Sequence, residues 1–483
     1  MKLSRLGASL ITALALSACG GGASAPASSA PPAPASAAAS KPAAAASTPA
    51  SAAAAGKPAA AASGSASAKP AASGSAAAKP AAGGSIKIGY INSTTGSLAN
   101  VGKDNDDAFQ LYLDSIGGTI AGRKIEMSFA DDAAAPDTGL TKAKQLVESD
   151  HVNLLMGLTS TPVCYAVAGY VKQAQVPTIV SGNCGAESLM YDSKSTSPYI
   201  VRFTQNGTGI SDPLADYGFK KGYRKAVLIT SDYGGGLETG DGFSSAWVGR
   251  GGSIVQEIHP PLGTNDMGPY VSQISSNGDV LVTFMPGVDS LRFSEAYGTY
   301  AAGSTRPVLD HFGGTISGSN FAQSKNQVVG FTGDYAYSPA LETPGNQALL
   351  KAWNTKYPNR PVSTDTGVGW SAAQILEAAL KQVNGNVEDK LAFMNVLYAL
   401  KLDTAKGTVS LDKEHDVVQD IHFWQAQKQG NEVGLKIVDT YKGISRTWDR
   451  TQQQIEAFKF GTYKGKWVGM TKEQLGDVLT LPK

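Results

Sequence analysis

Three short runs rich in glycine and hydroxyls, five histidines and three cysteines hold what chemistry this chain of 483 residues could perform. The runs are NSTTGS (92–97), with Thr94 and Thr95 at its centre, GLTSTP (157–162) and SGNCGAES (181–188). GLTSTP leads straight into a helical stretch with Pro162 near its first position, where a missing N–H is tolerated. Thr159, Ser160 and Thr161 can therefore present hydroxyls while free helix N–H groups point outward, which suits an anion such as a carboxylate. The plainer use of one of them is as the helix N-cap. The histidines, at 151, 259, 311, 415 and 422, show no zinc spacing, and His415 and His422 fall on opposite faces of a β-like stretch. No G-x-S-x-G elbow, P-loop or H-E-x-x-H motif occurs. These residues point to reversible binding of a small solute, without metal or cofactor, rather than to an enzyme.

The cysteines say where the protein works. Lys2 and Arg5 form a positive head, and residues 6–18 are apolar apart from Gly7, Ser9, Thr12 and Ser17. That run is shorter than the roughly 20 apolar residues a membrane-spanning helix needs, so it reads as an export signal. Leu16-Ser17-Ala18-Cys19 looks like a bacterial lipobox, and by that likeness Cys19 becomes the lipidated first residue of the mature chain. The alternative is an ordinary cleaved signal with a chance cysteine. Residues 20–84 hold no aromatic residue, no Leu, Ile or Val and no acid, and their four lysines are each followed by proline. Such a stretch cannot bury enough apolar surface to offset the entropy of ordering. The expectation is an extended tether over 19–85 that holds a folded body off the membrane. Cys164 and Cys184 form an even pair in a disulfide-permissive compartment and are expected to be bonded, with two buried thiols as the alternative. A net charge of +1 gives no footprint for nucleic acid.

The elements that must position these loops alternate. Short β-type runs at 86–93, 124–132, 152–157 and 177–182 are separated by helical patterns. In the first helix Phe109, Tyr112, Leu113 and Ile116 share one face, with acidic residues from Asp104 to Asp107 at its expected start. The pattern restarts at KAVLIT (225–230), with further strands at 253–259, 279–285, 307–312 and 328–337 and helices near 239–249, 267–276 and 289–301. Helices return at 344–356, 366–383 and 388–400, followed by β structure at 407–412 and 415–427. The fold class is α/β, with two Rossmann-like lobes built on parallel sheets. Ligands in such sheets bind beyond the carboxyl ends of the strands, where the hydroxyl-rich runs fall.

Several stretches in order along the body resemble the leucine/isoleucine/valine-binding type of periplasmic binding protein, the type I two-lobe fold. They include IKIGYINSTTGSLANVGKDNDDAFQLYL, DDAAAPDTGLTKAKQLVESDHVNLLMG, GTNDMGPYVSQI, ETPGNQALLKAW and VGWSAAQILEAAL. The resemblance implies two lobes joined by three hinge crossovers, near 205–209, 333–338 and 425–432, that close over a ligand. Lobe one is then 86–207 with 338–426 and lobe two 208–337 with 427–449, leaving 450–483 as an extension that carries aromatic residues and no assigned role. The family's ligand loops fall in lobe one on Thr159–Thr161 and on Gly182, Asn183 and Cys184. In lobe two they fall on Tyr233, Met285 and the run Asp310–His311–Phe312. Trp370 stands where the family often has an aromatic pocket wall, though helix core explains it equally. Amino-acid binders place a carboxylate after the strand that ends at 312 to hold the ligand ammonium. Here Phe312 takes that place, and a two-residue shift would restore Asp310. With Phe312 there, an aromatic or other apolar carboxylate fits better than an α-amino acid, because an unpartnered buried ammonium is costly. The function implied is a monomeric, lipid-anchored, exported solute-binding protein that delivers a small amino acid, amide or aromatic carboxylate to ABC permease subunits. A ligand sensor of the same fold, signalling to a membrane receptor or kinase, is the alternative.

Overall fold

Strand and helix alternate from the start of the computed structural model, which describes residues 83–476. Cys19, the export signal and most of the expected tether lie outside the described residues. The chain begins β1 (Ile86–Asn92), α1 (Ala99–Ser115), β2 (Thr119–Ile120), β3 (Arg123–Asp131), α2 (Pro136–Lys144), β4 (Leu154–Gly157), α3 (Thr161–Ala174), β5 (Thr178–Val180) and β6 (Ile200–Arg202). These strands form a sheet in the order β2-β3-β1-β4-β5-β6, parallel except for β2. Its side chains alternate strictly between two cores. Ile88, Tyr90, Leu154 and Met156 pack on one side with Phe109 of α1, while Ile91 and Leu155 pack on the other with Val163 and Val167 of α3. Covering both faces is what an all-apolar strand such as β4 requires.

A second α/β array follows: α4 (Gly207–Lys220), β7 (Lys225–Thr230), α5 (Gly234–Gly249), β8 (Ser253–Ile258), α6 (Gly268–Val271), β9 (Val280–Phe284), α7 (Val288–Tyr300), β10 (Val308–His311), α8 (Gly318–Ser324) and β11 (Thr332–Tyr335). Helices α9 (Pro344–Lys356), α10 (Thr364–Gln382) and α11 (Lys390–Tyr398) come next. Leu376 and Leu380 of α10 and Phe393 of α11 return to the core of the first lobe, beside Phe109. The chain ends with β12 (Lys401–Thr404), β13 (Gly407–Leu411), β14 (Val417–Gln429), β15 (Glu432–Ile444), α12 (Gln452–Ala457) and α13 (Lys472–Leu475). The second sheet runs β12-β13-β14-β11-β10-β9-β7-β8, with β15 on the free side of β14. Among the described residues no helix is long and apolar enough to cross a membrane.

The chain passes between lobes after β6, after β11 and inside β14. That last strand pairs with β13 at Gln419 and with β11 from His422 to Gln425. Residues 422–425, which the resemblance placed in lobe one, pair with β11. One continuous strand serves both lobes, so no break in pattern marks the passage. Three further departures from expectation have local causes. Helix α1 starts at Ala99 with no acid in its first turn, so Asp104 sits within the helix. Helices α4 and α8 fall in stretches rich in glycine and serine, poor helix formers, although Ile210, Leu214 and Tyr217 of α4 keep a helical spacing. The strand expected over 328–337 shortens to Thr332–Tyr335. Residues 450–476 are packed rather than loose: Phe458 and Trp467 are buried in the second lobe's core, and the Trp467 indole donates to Asp241 Oδ1 at 2.7 Å.

Two constraints tie the first lobe together at the cleft. Cys164 and Cys184 are bonded, with Cα atoms 6.5 Å apart. Arg202, at the end of β6, forms a bidentate pair with Asp416 just before β14, at 2.8 and 2.6 Å, and neither side chain is exposed. Burial alone would raise the Asp416 carboxyl, but the Arg202 guanidinium outweighs it and holds the acid below its ordinary range. Arg202→Met leaves a buried carboxylate without its cation and should destabilise the fold by about 3–5 kcal/mol, measured by urea unfolding. Reduction of the Cys164–Cys184 bond, which closes a loop with a sequence separation of 20, should lower stability by about 3 kcal/mol in the chain-entropy account. Thermal unfolding with and without reductant, against a Cys164→Ala/Cys184→Ala double variant as the no-effect control, reads this directly.

Candidate functional site

A cavity of about 280 Å³ lies between the lobes, at the carboxyl ends of both parallel sheets. The structure brings together there seven of the residues singled out from sequence: Thr159, Thr161, Asn183, Tyr233, Met285, His311 and Phe312. Thr161 opens α3, Pro162 follows it, and Ser160 is the N-cap in extended conformation without making a side-chain cap bond. The Ser160 hydroxyl is buried and has no partner among the described residues. Thr159 donates to Asn92 Oδ1 at 2.7 Å, which fixes the loop against β1. Thr161, the first residue of α3, lines the cavity, whereas Ser160 does not.

The other expected residues sit elsewhere. Thr94 N–H and Thr95 Oγ1 both donate to Asp131, at 2.8 and 2.6 Å, and cap the end of β3 instead of lining the cavity. Gly182 lies behind it, where an added Cβ would meet the Leu158 backbone at 2.6 Å. Trp370 is buried with Tyr337, Leu349 and Trp353, edge-on to Tyr112 at 4.9 Å, so packing accounts for it. Asp310 turns into the second lobe and accepts from Thr315 N–H, Thr315 Oγ1, Ile316 N–H and Thr283 Oγ1, at 2.8 to 3.2 Å. Burial pushes its pKa up to about 6 in spite of these bonds.

Phe312, not Asp310, faces the cavity. It has φ 65°, a left-handed conformation rare for a bulky side chain. That turn brings its ring against Phe284 at 4.8 Å and Tyr335 at 5.4 Å. His311 lines the cavity beside it but is fully engaged: Nδ1 meets Asp334 Oδ1 at 2.9 Å, and Nε2 meets Ser211 Oγ at 3.1 Å. The sequence Ser211–His311–Asp334 has the connectivity of a nucleophile relay. Ser211, however, has no exposed surface and does not line the cavity, so the relay fixes a ring and cannot meet a substrate.

Sequence reasoning missed a polar group at the first lobe's side. Asp365, in the first turn of α10, lines the cavity and accepts from Asn183 Nδ2. Asn183 Oδ1 is buried without a partner among the described residues. Asn183 O in turn accepts from Gln205 Nε2 at 2.7 Å, and Gln205 Oε1 accepts from Tyr335. Burial, with Asp104 adding repulsion, pushes the Asp365 pKa up to about 8. Asp104 lines the cavity too, but Arg360 and Ser363 bind it, and Arg360 also holds Asp107 at 2.5 Å. Asp365 falls just before the helix expected at 366–383, and only the fold shows that it looks into the cleft.

The lobes touch across the cleft. Thr364 N–H donates to Ser317 Oγ at 2.7 Å, and Glu187 N–H donates to Glu238 Oε2 at 3.0 Å. At Gly287, with φ 61°, any Cβ would strike the carbonyl of Ser97. Glycine at that position is what lets the two backbones meet.

Comparison with known proteins agrees with this geometry. The periplasmic binding protein family profile matches residues 85–431. A Leu/Ile/Val-binding protein homolog of Brucella melitensis is 26% identical over 347 residues, covering 71% of this chain and 88% of that one. An ABC transporter substrate-binding protein from Sphaerobacter thermophilus superposes with TM-score 0.69 at 27% identity, covering 75% of this chain and 99% of that one. A solute-binding protein of an ABC transporter from Rhodopseudomonas palustris, solved in complex with 3,4-dihydroxybenzoic acid, gives 0.70 at 26%, with coverage of 75% and 99%. These relatives are solute-binding proteins and not enzymes. With two α/β lobes around a cleft and a family match over most of its length, this chain belongs to the periplasmic binding protein family, in the type I branch typified by leucine/isoleucine/valine-binding proteins.

Proposed function

We propose that this protein is the solute-binding component of an ABC importer and that its ligand is an aromatic or similarly apolar carboxylate. Export by the N-terminal signal, a lipid on Cys19 and the tether hold it near the permease as a monomer. Lobe one is 86–207 with 338 to about 420, and lobe two is the remainder of the body with the packed extension. The observation that carries the ligand class is the wall of lobe two. Phe284, Met285, Phe312 and Tyr335 line it, while Asp310 is turned away and saturated. An α-amino acid would find no unengaged carboxylate on that wall for its ammonium. A flat ring would lie against Phe312 and Phe284, with its carboxylate at the N-terminus of α3 near Thr161. Related solute-binding proteins solved with 3,4-dihydroxybenzoic and p-hydroxybenzoic acids, at 26% and 25% identity, support this reading.

Binding proceeds by lobe closure in this account. The contacts from Thr364 to Ser317 and from Glu187 to Glu238 exist only with the lobes together, so they add to affinity without stabilising an open form.

A thermal-shift screen of residues 83–483 tests the ligand class. Benzoate and its hydroxylated relatives, at about a hundred times Kd, should stabilise by about 2.7 kcal/mol and raise the melting point by a few degrees, whereas leucine should not. Phe312→Ala should weaken the aromatic ligand by about tenfold, the worth of one well-placed ring contact. Stabilisation by leucine alone would overturn the assignment. Closure is tested separately by Ser317→Ala. Loss of one cross-cleft acceptor should speed ligand release and weaken binding by about fivefold, or roughly 1 kcal/mol, with the melting point of the free protein unchanged.

A further inference from the structure

Two segments lie outside the family match over 85–431, one before it and one after it, and the ligand reading uses neither. The first carries the run Lys-Pro-Ala-Ala four times, beginning at Lys41, Lys57, Lys69 and Lys79. These lysines are the only charged residues between 20 and 84, so the segment is purely cationic. The second, after β15, packs on lobe two and builds one wall of a groove. That groove, of about 580 Å³, lies where the two lobes meet the extension.

The walls of the groove are aromatic and its charges are acidic. Tyr165 of α3 and Tyr191 come from lobe one, and Phe458 and Phe460 follow α12 in the extension. Tyr165, Tyr191 and Phe460 are half-buried, so part of each ring is left to a further partner. Carboxylates come from Asp192 of lobe one, Glu238 of α5 and Glu456 of α12. Glu238 accepts from Glu187 N–H and the Tyr165 phenol, Asp192 from Lys194 N–H, and Glu456 from the Gln452 amide. None of the three is held in an ion pair among the described residues. Lys459 lines the groove but is exposed and equally unpaired. Arg446 lies over the Tyr191 ring at 5.1 Å without lining the groove. Flat apolar faces thus stand beside negative charge that the folded body does not neutralise.

Lys-Pro-Ala-Ala complements such a surface. Proline in an extended polyproline conformation packs into aromatic-lined grooves and has little entropy left to lose. A lysine beside it suits carboxylates and ring faces alike. We propose that the groove docks one Lys-Pro-Ala-Ala motif of this chain's own N-terminal segment, proline on the rings and lysine among the carboxylates. Reach selects the motif. Gly84, whose carbonyl accepts from Arg123 Nε at 2.8 Å, precedes β1 at the amino end of the first sheet, whereas Tyr165 lies about one turn into α3 from the carboxyl end. From Gly84, Lys79 extends about 15 Å at most, while Lys57 has an r.m.s. reach of about 28 Å and an extended reach of about 80 Å. A body of this size has a radius of gyration of about 21 Å, so the motifs at Lys41, Lys57 and Lys69 reach the groove and that at Lys79 does not. Docking folds the leash back on the body. Because both lobes line the groove, docking also favours their closed arrangement. The proposal does not depend on the identity of the solute.

A carbodiimide, which joins an amine to a neighbouring carboxylate as an amide and itself becomes a urea, reads the contact in residues 20–483. Crosslinks in the monomer fraction should join Lys41, Lys57 or Lys69 to Asp192, Glu238 or Glu456, with none from Lys79. Crosslinks scattered over the exposed acids of the body overturn the proposal. Crosslinks confined to dimers do so too, and assign the groove to a second copy. The second readout is titration with a peptide of residues 53–64, followed by the linewidths of its own proton NMR signals. The peptide should bind residues 83–483, and bind residues 20–483 about fivefold more weakly, because the attached motif competes at a millimolar effective concentration. Asp192→Asn and Glu456→Gln, each with an unchanged melting point, should weaken the peptide about threefold. A peptide that fails to bind residues 83–483, or that binds equally well with Lys57→Ala and Pro58→Ala, overturns the proposal. Tetramethylammonium bound as tightly as the peptide marks a site for a bare organic cation and overturns it as well.

Discussion

The buried pair between Arg202 and Asp416 is the interaction on which the two-lobe arrangement turns. It joins the last strand of the first sheet to the entry of β14, the strand that runs on into the second. The end of β6 and the start of β14 are thereby bound side by side, and the Arg202 N–H donates to His415 O at 3.2 Å to complete the link. Glu187 extends it by accepting from Thr208 N–H and Oγ1 at the start of α4, on the far side of the first passage. A charge pair with no water access is directional and unforgiving of displacement. It holds the two strands in a fixed line against sliding.

From that fixed line the site follows. Each parallel sheet delivers its strand ends to one cleft, so hydroxyl-bearing loops of one lobe meet aromatic loops of the other. Asymmetry between the walls is what gives the site its chemistry. The first lobe offers Thr159 and Thr161 at the start of α3 and the Asn183–Asp365 couple. The second offers rings and a thioether, with its own acids turned inward.

Much of this was legible in the residues, for reasons that can be named. Strands such as LLMG (154–157) and KAVLIT (225–230) are apolar because both faces are covered, and a continuous run announces that. GLTSTP advertised a helix start through Pro162, and Thr159 and Thr161 do line the cleft. Phe312 was separable from Asp310 only by the phase of β10, a matter of two residues. What stayed hidden was hidden for physical reasons as well. The passage within β14 interrupts no pattern, because a strand crossing between lobes keeps its period. Helix α4 is buried along nearly its whole length, and its glycines and Pro213 masked the short stripe of Ile210, Leu214 and Tyr217. Asp365 falls just before an expected helix, and Thr94 and Thr95 read as ligand hydroxyls until Asp131 is seen to claim them. Residue type marks which groups could bind; only the path of the backbone decides which ones face the gap.

The Cys164–Cys184 bond has an effect beyond its share of stability. Cys164 lies one turn into α3 from Thr161, and Cys184 directly follows Asn183. Two loops that would otherwise flex separately are riveted within a few bonds of the atoms that meet the solute. Their mutual freedom is surrendered when the chain folds, and none is left to surrender when the solute arrives. The hydroxyl-bearing half of the pocket is thus closed by a covalent bond, which the aromatic wall opposite does not have.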